Sequence, residues 1–93
     1  MKMYIEDLKL LATRSDIAKK FLENNLEICI DNDYTDFYPS NKFGCIELND
    51  DYMFSICCDN FIWIDGKSEK YGDSIFICGN HKGCLHGYII YSK

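Results

Sequence analysis

The spacing of apolar residues changes near residue 25, and this change constrains the fold more than any other feature of the chain. Before it, apolar residues recur every three or four positions, as on one face of a helix: Ile5, Leu8, Leu11, Ile17, Phe21 and Leu22. After Asn24-Asn25, which favour helix termination, the pattern becomes the two-residue alternation and β-branched enrichment of strands. No helical pattern returns, and parallel strands need crossovers that are usually helical. The sequence therefore predicts a helix followed by an antiparallel sheet.

The predicted helical segment carries an internal start signal. Thr13-Arg14-Ser15-Asp16 resembles a capping box, in which Thr13 accepts from a backbone N–H of the next turn and Asp16 reaches back. We expect either a kink or a second helix start near residues 13–16.

Six short strands are predicted after residue 25, at 26–30, 43–48, 52–58, 61–65, 74–78 and 84–91. Turn residues separate them, and short turns such as Asp59-Asn60 join antiparallel neighbours. With 93 residues there is room for one core only. We predict a single α+β domain over 1–93, with a helical part over 1–25 packed on a curved antiparallel meander of five to six strands over 26–93.

The only Trp lies between two isoleucines of the predicted strand 61–65. Ile62 and Ile64 are expected to face the helix, together with Ile75 and Ile77. Trp63 would then lie on the other face, exposed as an anchor for a partner. If both faces of the sheet are covered, Trp63 is instead part of the core.

Charge and composition indicate which class of partner this protein can bind. The net charge is −5, and the acidic excess falls after residue 25. With nine Lys dispersed along the chain and one Arg, direct phosphate binding is not expected. A basic protein is the favoured partner.

The absence of a long apolar run excludes a membrane-spanning helix, and the charged N-terminus argues against a secretory segment. We therefore expect a cytoplasmic protein whose six cysteines are reduced.

Residues 31–42 form the first candidate interface, since long unstructured connections are often functional. They interleave carboxylates, which steer a basic partner, with aromatic rings, which give contact area: Asp31, Asp33, Tyr34, Asp36, Phe37 and Tyr38. In the alternative interpretation, Phe37 and Tyr38 seal the core while the aspartates are solvated. A calcium loop fits poorly, because the sixth position lacks Gly and Lys42 stands in place of the final Glu.

The segment 78–86 is the second candidate site. Cys78, His81, Cys84 and His86 offer the thiol and imidazole ligands that zinc takes, but all within nine residues. The competing interpretation is a metal-free β-hairpin, with Gly79-Asn80 and Gly83 in turn positions and His81 at the tip. A Cys–His nucleophilic pair, which Cys57 or Cys58 could also supply, lacks any recognisable catalytic surroundings, so we expect no enzyme and no cofactor.

These features favour a small acidic protein-binding module. The expected contact residues are Asp31, Asp33, Tyr34, Asp36, Tyr38, Asp50 and Asp51. The excess of Lys over Arg, with many Ile, Asn, Tyr and Asp, is typical of AT-rich genomes. It suggests an inhibitor of viral, phage or mobile-element origin, of the anti-CRISPR or another anti-defence type, that occupies a nucleic-acid-binding surface of a host protein. The alternatives are a toxin-neutralising immunity protein and the zinc or thiol module; open sheet edges also allow a homo-oligomer.

Overall fold

The computed structural model describes residues 5–47, 60–81 and 84–92, and two helices and five strands lie within these ranges. In chain order they are α1 (Ile5–Leu11), α2 (Asp16–Glu23), β1 (Ile28–Asp31), β2 (Phe37–Glu47), β3 (Asn60–Ser68), β4 (Gly72–His81) and β5 (Cys84–Ser92). Neither helix is long and apolar enough to cross a membrane.

The five strands form one antiparallel sheet in the order β1-β5-β4-β3-β2, which confirms the predicted α+β class. Strands β2 to β5 are a meander, as expected. Strand β1 does not join β2 but pairs with β5, from Ile28 opposite Ser92 to Asp31 opposite Ile89. The strand predicted at 52–58 lies outside the described residues.

The break in the helical segment is a second helix start. Its N-cap is Ser15, whose Oγ accepts from the Ala18 N–H at 3.0 Å, whereas the Thr13 hydroxyl donates to the Leu10 carbonyl. The predicted location was right and the predicted capping residue was wrong. Helix α2 ends as expected, with Asn25 at a φ of 53° just beyond it.

The core lies between the helices and one face of the sheet, which we call the helix face. Its buried members come from both helices and all five strands: Leu8, Leu11, Ala12, Ala18, Phe21, Ile28, Ile30, Ile46, Trp63, Ile75, Ile77 and Ile90. Trp63 is 3% exposed, so the alternative that places it in the core is correct. The expectation that Ile62 and Ile64 face the helices is wrong, because strand alternation puts them on the opposite, second face. Ile62 is 46% exposed there.

Asp65 explains why β3 presents this face to the helices. It is two residues from Trp63, shares its face, and is 4% exposed. Its carboxylate accepts from the Ser15 hydroxyl at 2.5 Å and from the Asp16 N–H at 3.1 Å. A longer contact from the Ile17 N–H at 3.5 Å completes the set. The buried carboxylate thus satisfies free N–H groups of the first turn of α2, which are otherwise without intrahelical partners.

Strand β2 begins at Phe37, so the expectation of an unstructured connection over 31–42 is wrong beyond residue 36. Because Pro is unfavourable in central strands, Pro39 argued against a strand here. However, β2 is the last strand in the order, and Pro is tolerated on edge strands. An irregularity follows, since Pro39 pairs with Gly66 and Phe43 with Ile64, leaving two extra residues on β2. The strands predicted at 61–65 and 74–78 are also longer than expected, which leaves residues 69–71 between β3 and β4.

Candidate functional site

The connection between β1 and β2, residues 32–36, crosses the second face of the sheet, because these strands lie at opposite edges. The Tyr34 ring covers Gly87, where an added Cβ would lie 3.1 Å from it, and meets the Phe76 ring edge-on at 4.9 Å. Phe37 also packs against Phe76, with ring centroids 5.9 Å apart. Ile89, on this second face, is fully buried. The helices therefore cover one face of the sheet, and this connection covers the part of the second face around Phe76 and Gly87.

Asp36 attaches the end of the connection to the β3–β4 turn. Its carboxylate accepts from the Ser68 hydroxyl at 3.0 Å and from the Lys70 N–H at 3.0 Å. The Ser68 oxygen in turn accepts from the Tyr71 N–H at 3.2 Å, and Ser68 is 3% exposed. The turn and the connection therefore form one hydrogen-bonded unit.

Asp31 attaches the start of the connection to the same turn. The Tyr71 hydroxyl donates to Asp31 Oδ2 at 2.6 Å, and the Asp33 N–H donates to Asp31 Oδ1 at 3.1 Å. The Tyr71 ring stacks on Tyr91 with centroids 3.6 Å apart and planes 9° from parallel. The Lys70 amine lies 5.1 Å from the Tyr71 ring centre. This stack positions the hydroxyl that holds Asp31.

These contacts change the acidity of both partners. The hydrogen bond from Tyr71, followed by the bond from the Asp33 N–H, lowers the pKa of Asp31 below its usual value. The same bond raises the pKa of Tyr71, because the hydroxyl gives up its proton less readily beside a carboxylate. Burial is the main reason that the pKa of Tyr91 is raised. Asp31 is therefore ionised, and Tyr71 protonated, over a wide range of pH.

Replacing Tyr71 with Phe is expected to raise the pKa of Asp31 towards its usual value, since the donor that contributes most is removed. An Asp with a depressed pKa stabilises the fold above its unfolded-state pKa, and this stability is lost as pH falls through the folded-state pKa. The variant should therefore lose part of the stability that ionised Asp31 contributes above its unfolded-state pKa, and its stability should depend less on pH below that value. A carbon-detected NMR titration of Asp31 measures the shift, and Tyr38→Phe is the control. An unchanged Asp31 titration in Tyr71→Phe would contradict the assignment.

Four carboxylates surround this unit, and we call them the acidic surface: Asp31, Asp33, Asp36 and Glu69. Asp33 is exposed and accepts from the Thr35 hydroxyl at 2.9 Å, while Glu69 is exposed in the β3–β4 turn. The hydroxyl and backbone N–H groups that donate to the first three are neutral, so they hold the negative charges in place without cancelling them.

The structure brings together four of the predicted contact residues, Asp31, Asp33, Tyr34 and Asp36. Tyr38 does not join them. It pairs with Lys67 on the helix face and is 61% exposed, so the prediction that it seals the core is wrong, while Phe37 does pack inward. Asp50 and Asp51 lie outside the described residues. Ser68 and Tyr71, which complete the unit, were missed because nothing in a polar turn sequence marks two residues as partners of aspartates more than 30 positions away.

The segment 78–86 is a hairpin, as one interpretation predicted, but a tighter one. Gly79, Asn80 and His81 belong to β4 and not to the turn, and His81 pairs with Cys84. Cys78 pairs with Gly87, which places positions 84 and 86 on the other face of the sheet from Cys78. The side chains of His81, Cys84 and His86 lie outside the described part of the structure.

Two further findings concern thiols and metals. Cys29, Cys45 and Cys78 are free thiols. Among the side chains that the structure describes, which do not include those of His81, Cys84 and His86, no three of His, Cys, Asp or Glu are grouped so as to hold a metal ion. Asp33 and Asp36 of the connection are among these side chains.

No protein-family model matches this chain, and neither curated proteins nor solved structures gave a match.

Proposed function

We propose that this protein is a small acidic protein-binding module that occupies a basic, nucleic-acid-binding surface of another protein through its acidic surface. The observation that carries the proposal is the way in which Asp31, Asp33 and Asp36 are held. Neutral donors fix their positions and leave their charges uncancelled. Fixed negative charges are what a phosphate-binding surface of Lys and Arg residues recognises.

The rigid attachment of the connection between β1 and β2 supports this proposal. The connection is attached to the β3–β4 turn at both ends, by Asp31 and by Asp36. Tyr34 lies between them, packed on Gly87 and still 44% exposed. A ring that is already positioned loses little conformational freedom when a partner covers it. The acidic surface therefore offers charges and an aromatic contact that are both preorganised.

The distribution of charge also supports it. Two lysines of the helix side form ion pairs with carboxylates on the same side: Lys20 pairs with Asp73 at 2.6 Å, and Lys42 lies 3.4 Å from Asp16. In the connection and the β3–β4 turn, residues 32–36 and 69–71, Lys70 is the one lysine beside the carboxylates of the acidic surface. A basic partner is therefore attracted to one side of the molecule.

We place this activity in a reducing cytoplasm, that of the host if the protein is of viral or phage origin, and we assign it the role of an inhibitor. The free thiols of Cys29, Cys45 and Cys78 are consistent with a reducing compartment. Because an inhibitor of this kind competes with nucleic acid, it needs no chemistry of its own.

Affinity capture from a lysate of the cells that make the protein, or of their host, tests the proposal. We expect a basic nucleic-acid-binding protein that is retained at low salt, released at high salt, and displaced by an added oligonucleotide. A partner that is unaffected by salt and by the oligonucleotide would contradict the mimicry, as would repeated capture of none.

A pair of matched double variants then tests the site. Asp33→Asn with Glu69→Gln removes two charges from the acidic surface and leaves the attachments made by Asp31 and Asp36 intact. We expect about 10-fold weaker binding, by roughly 0.7 kcal/mol for each exposed charge. Asp16→Asn with Glu23→Gln makes the same change in net charge on the helix side and should alter affinity less than about 2-fold. Equal losses in both variants would indicate a net-charge effect and not this site.

A further inference from the structure

A hollow on the helix face has no part in the acidic surface. It lies between the start of α2 and the part of β2 that precedes the irregularity, and its volume is about 360 Å³. Its lining includes Ile17, Tyr38, Pro39, Gly66, Lys67 and Asp73. A volume of this size falls in the range of small-molecule sites, which begin at about 300 Å³.

The walls of the hollow are largely apolar. Ile17 contributes from α2, and Tyr38 and Pro39 contribute from β2. Tyr38 lines the hollow and is 61% exposed, so its side chain is accessible to a ligand. Aromatic rings pack on one another in offset or edge-on arrangements. The walls therefore fit a planar aromatic group.

The charged side chains at the hollow determine which sign of charge a ligand should carry. Asp73 is already paired with Lys20 at 2.6 Å. Lys67 also lines the hollow, and among the described residues no carboxylate forms an ion pair with it. The remaining charge at the hollow is thus one positive charge, on a chain whose net charge is −5. A carboxylate complements this charge, whereas an amine would meet it unfavourably.

We propose that this hollow binds small aromatic carboxylates, with the ring against Tyr38 and Pro39 and the carboxylate at Lys67. The site lies on the opposite face of the sheet from the acidic surface. Its occupancy therefore does not depend on the proposed protein partner, and either proposal can fail without the other.

An NMR titration of the full chain with 4-hydroxyphenylacetate tests the proposal. We expect saturable shifts of the Ile17, Lys67 and Asp73 amides, with a Kd on the order of 0.1 to 1 mM for a ligand of roughly eleven heavy atoms. Tyramine carries the same ring with an amine, and butyrate carries the carboxylate without a ring. Both should bind at least about 10-fold more weakly.

Two variants of exposed residues locate the site. Lys67→Gln should weaken binding of 4-hydroxyphenylacetate about 5- to 10-fold, and Tyr38→Leu should weaken it to a similar extent. Lys70→Gln removes a lysine three residues away, on the β3–β4 turn, and should leave the Kd unchanged. No saturable shift up to about 10 mM, equal binding of tyramine, or an unchanged Kd in Lys67→Gln would each overturn the proposal.

Discussion

Replacing Asp65 with Ala is expected to lower the free energy of unfolding by about 3 kcal/mol, a large part of the 5 to 15 kcal/mol typical of a domain. The carboxylate is 4% exposed and accepts from the Ser15 hydroxyl and from two backbone N–H groups of α2. Without it, these donors are left near the core without an acceptor, at a cost of about 1 to 3 kcal/mol for each buried group. Urea unfolding followed by circular dichroism measures the loss.

Two further variants separate this capping role from a general effect of charge. Asp33→Ala removes an exposed carboxylate and should change stability by less than about 0.5 kcal/mol. Ser15→Ala removes the N-cap and should cost about 1 to 2 kcal/mol. Because Ser15 and Asp65 share a hydrogen bond of 2.5 Å, the double variant should lose less than the sum of the two single losses. Additive losses, or a loss below about 1 kcal/mol in Asp65→Ala, would contradict the role of Asp65 at the helix start.

Gly66→Ala is expected to lower the free energy of unfolding by about 3 kcal/mol, through overpacking between β2 and β3. A Cβ on Gly66 would overlap the Tyr38 carbonyl oxygen and lie 2.6 Å from Cζ of Phe37. A backbone carbonyl cannot swing away as a flexible side chain does, so the two strands must move apart next to the irregularity of β2. Urea unfolding and loss of amide protection in β2 measure the effect.

Gly72→Ala is the matched control for this prediction. Gly72 has a φ of 78°, and an added Cβ there would meet nothing within 4 Å. The cost should therefore be only the 1 to 2 kcal/mol, roughly, of placing Ala in the left-handed region. If Gly66→Ala were no more destabilising than Gly72→Ala, the close approach of β2 to Gly66 would be disproved.

The order of helix and sheet could be predicted because it depends on local patterns. The helical spacing up to Phe21 and the terminating Asn24-Asn25 depend on neighbours in sequence, and α2 does end at Glu23. The start of β2 could not be predicted in this way. Pro39 reads as a strand breaker, and only the position of β2 at the edge of the sheet makes it acceptable.

The faces of β3 were beyond prediction for a different reason. Alternation shows that Ile62 and Trp63 lie on opposite faces but does not say which face is covered by the helices. The answer depends on Asp65, whose partner Ser15 is 50 residues away. An Asp at the end of an apolar run reads as a turn residue, and nothing near it in sequence indicates that it is buried.

The candidate site was predicted in part. The density of carboxylates and aromatic rings at 31–38 made the connection a candidate, and the structure groups Asp31, Asp33 and Asp36 near one turn. Tyr71 and Ser68, which hold two of these carboxylates, could not be found, because their pairing with the connection exists only after β3 and β4 have formed.

The pairing of β1 with β5 sets the order in which the chain can assemble. The edge formed by Ile28 to Asp31 has no neighbour until residues 89–92 are in place. During synthesis, the meander from β2 onwards can begin to pair, but both helices precede β1 and cannot be enclosed in a finished core before β5 has left the ribosome. Such distant pairing slows folding. The protein is therefore expected to acquire its native structure after translation of β5, and to depend until then on whatever shields its apolar segments in the cell.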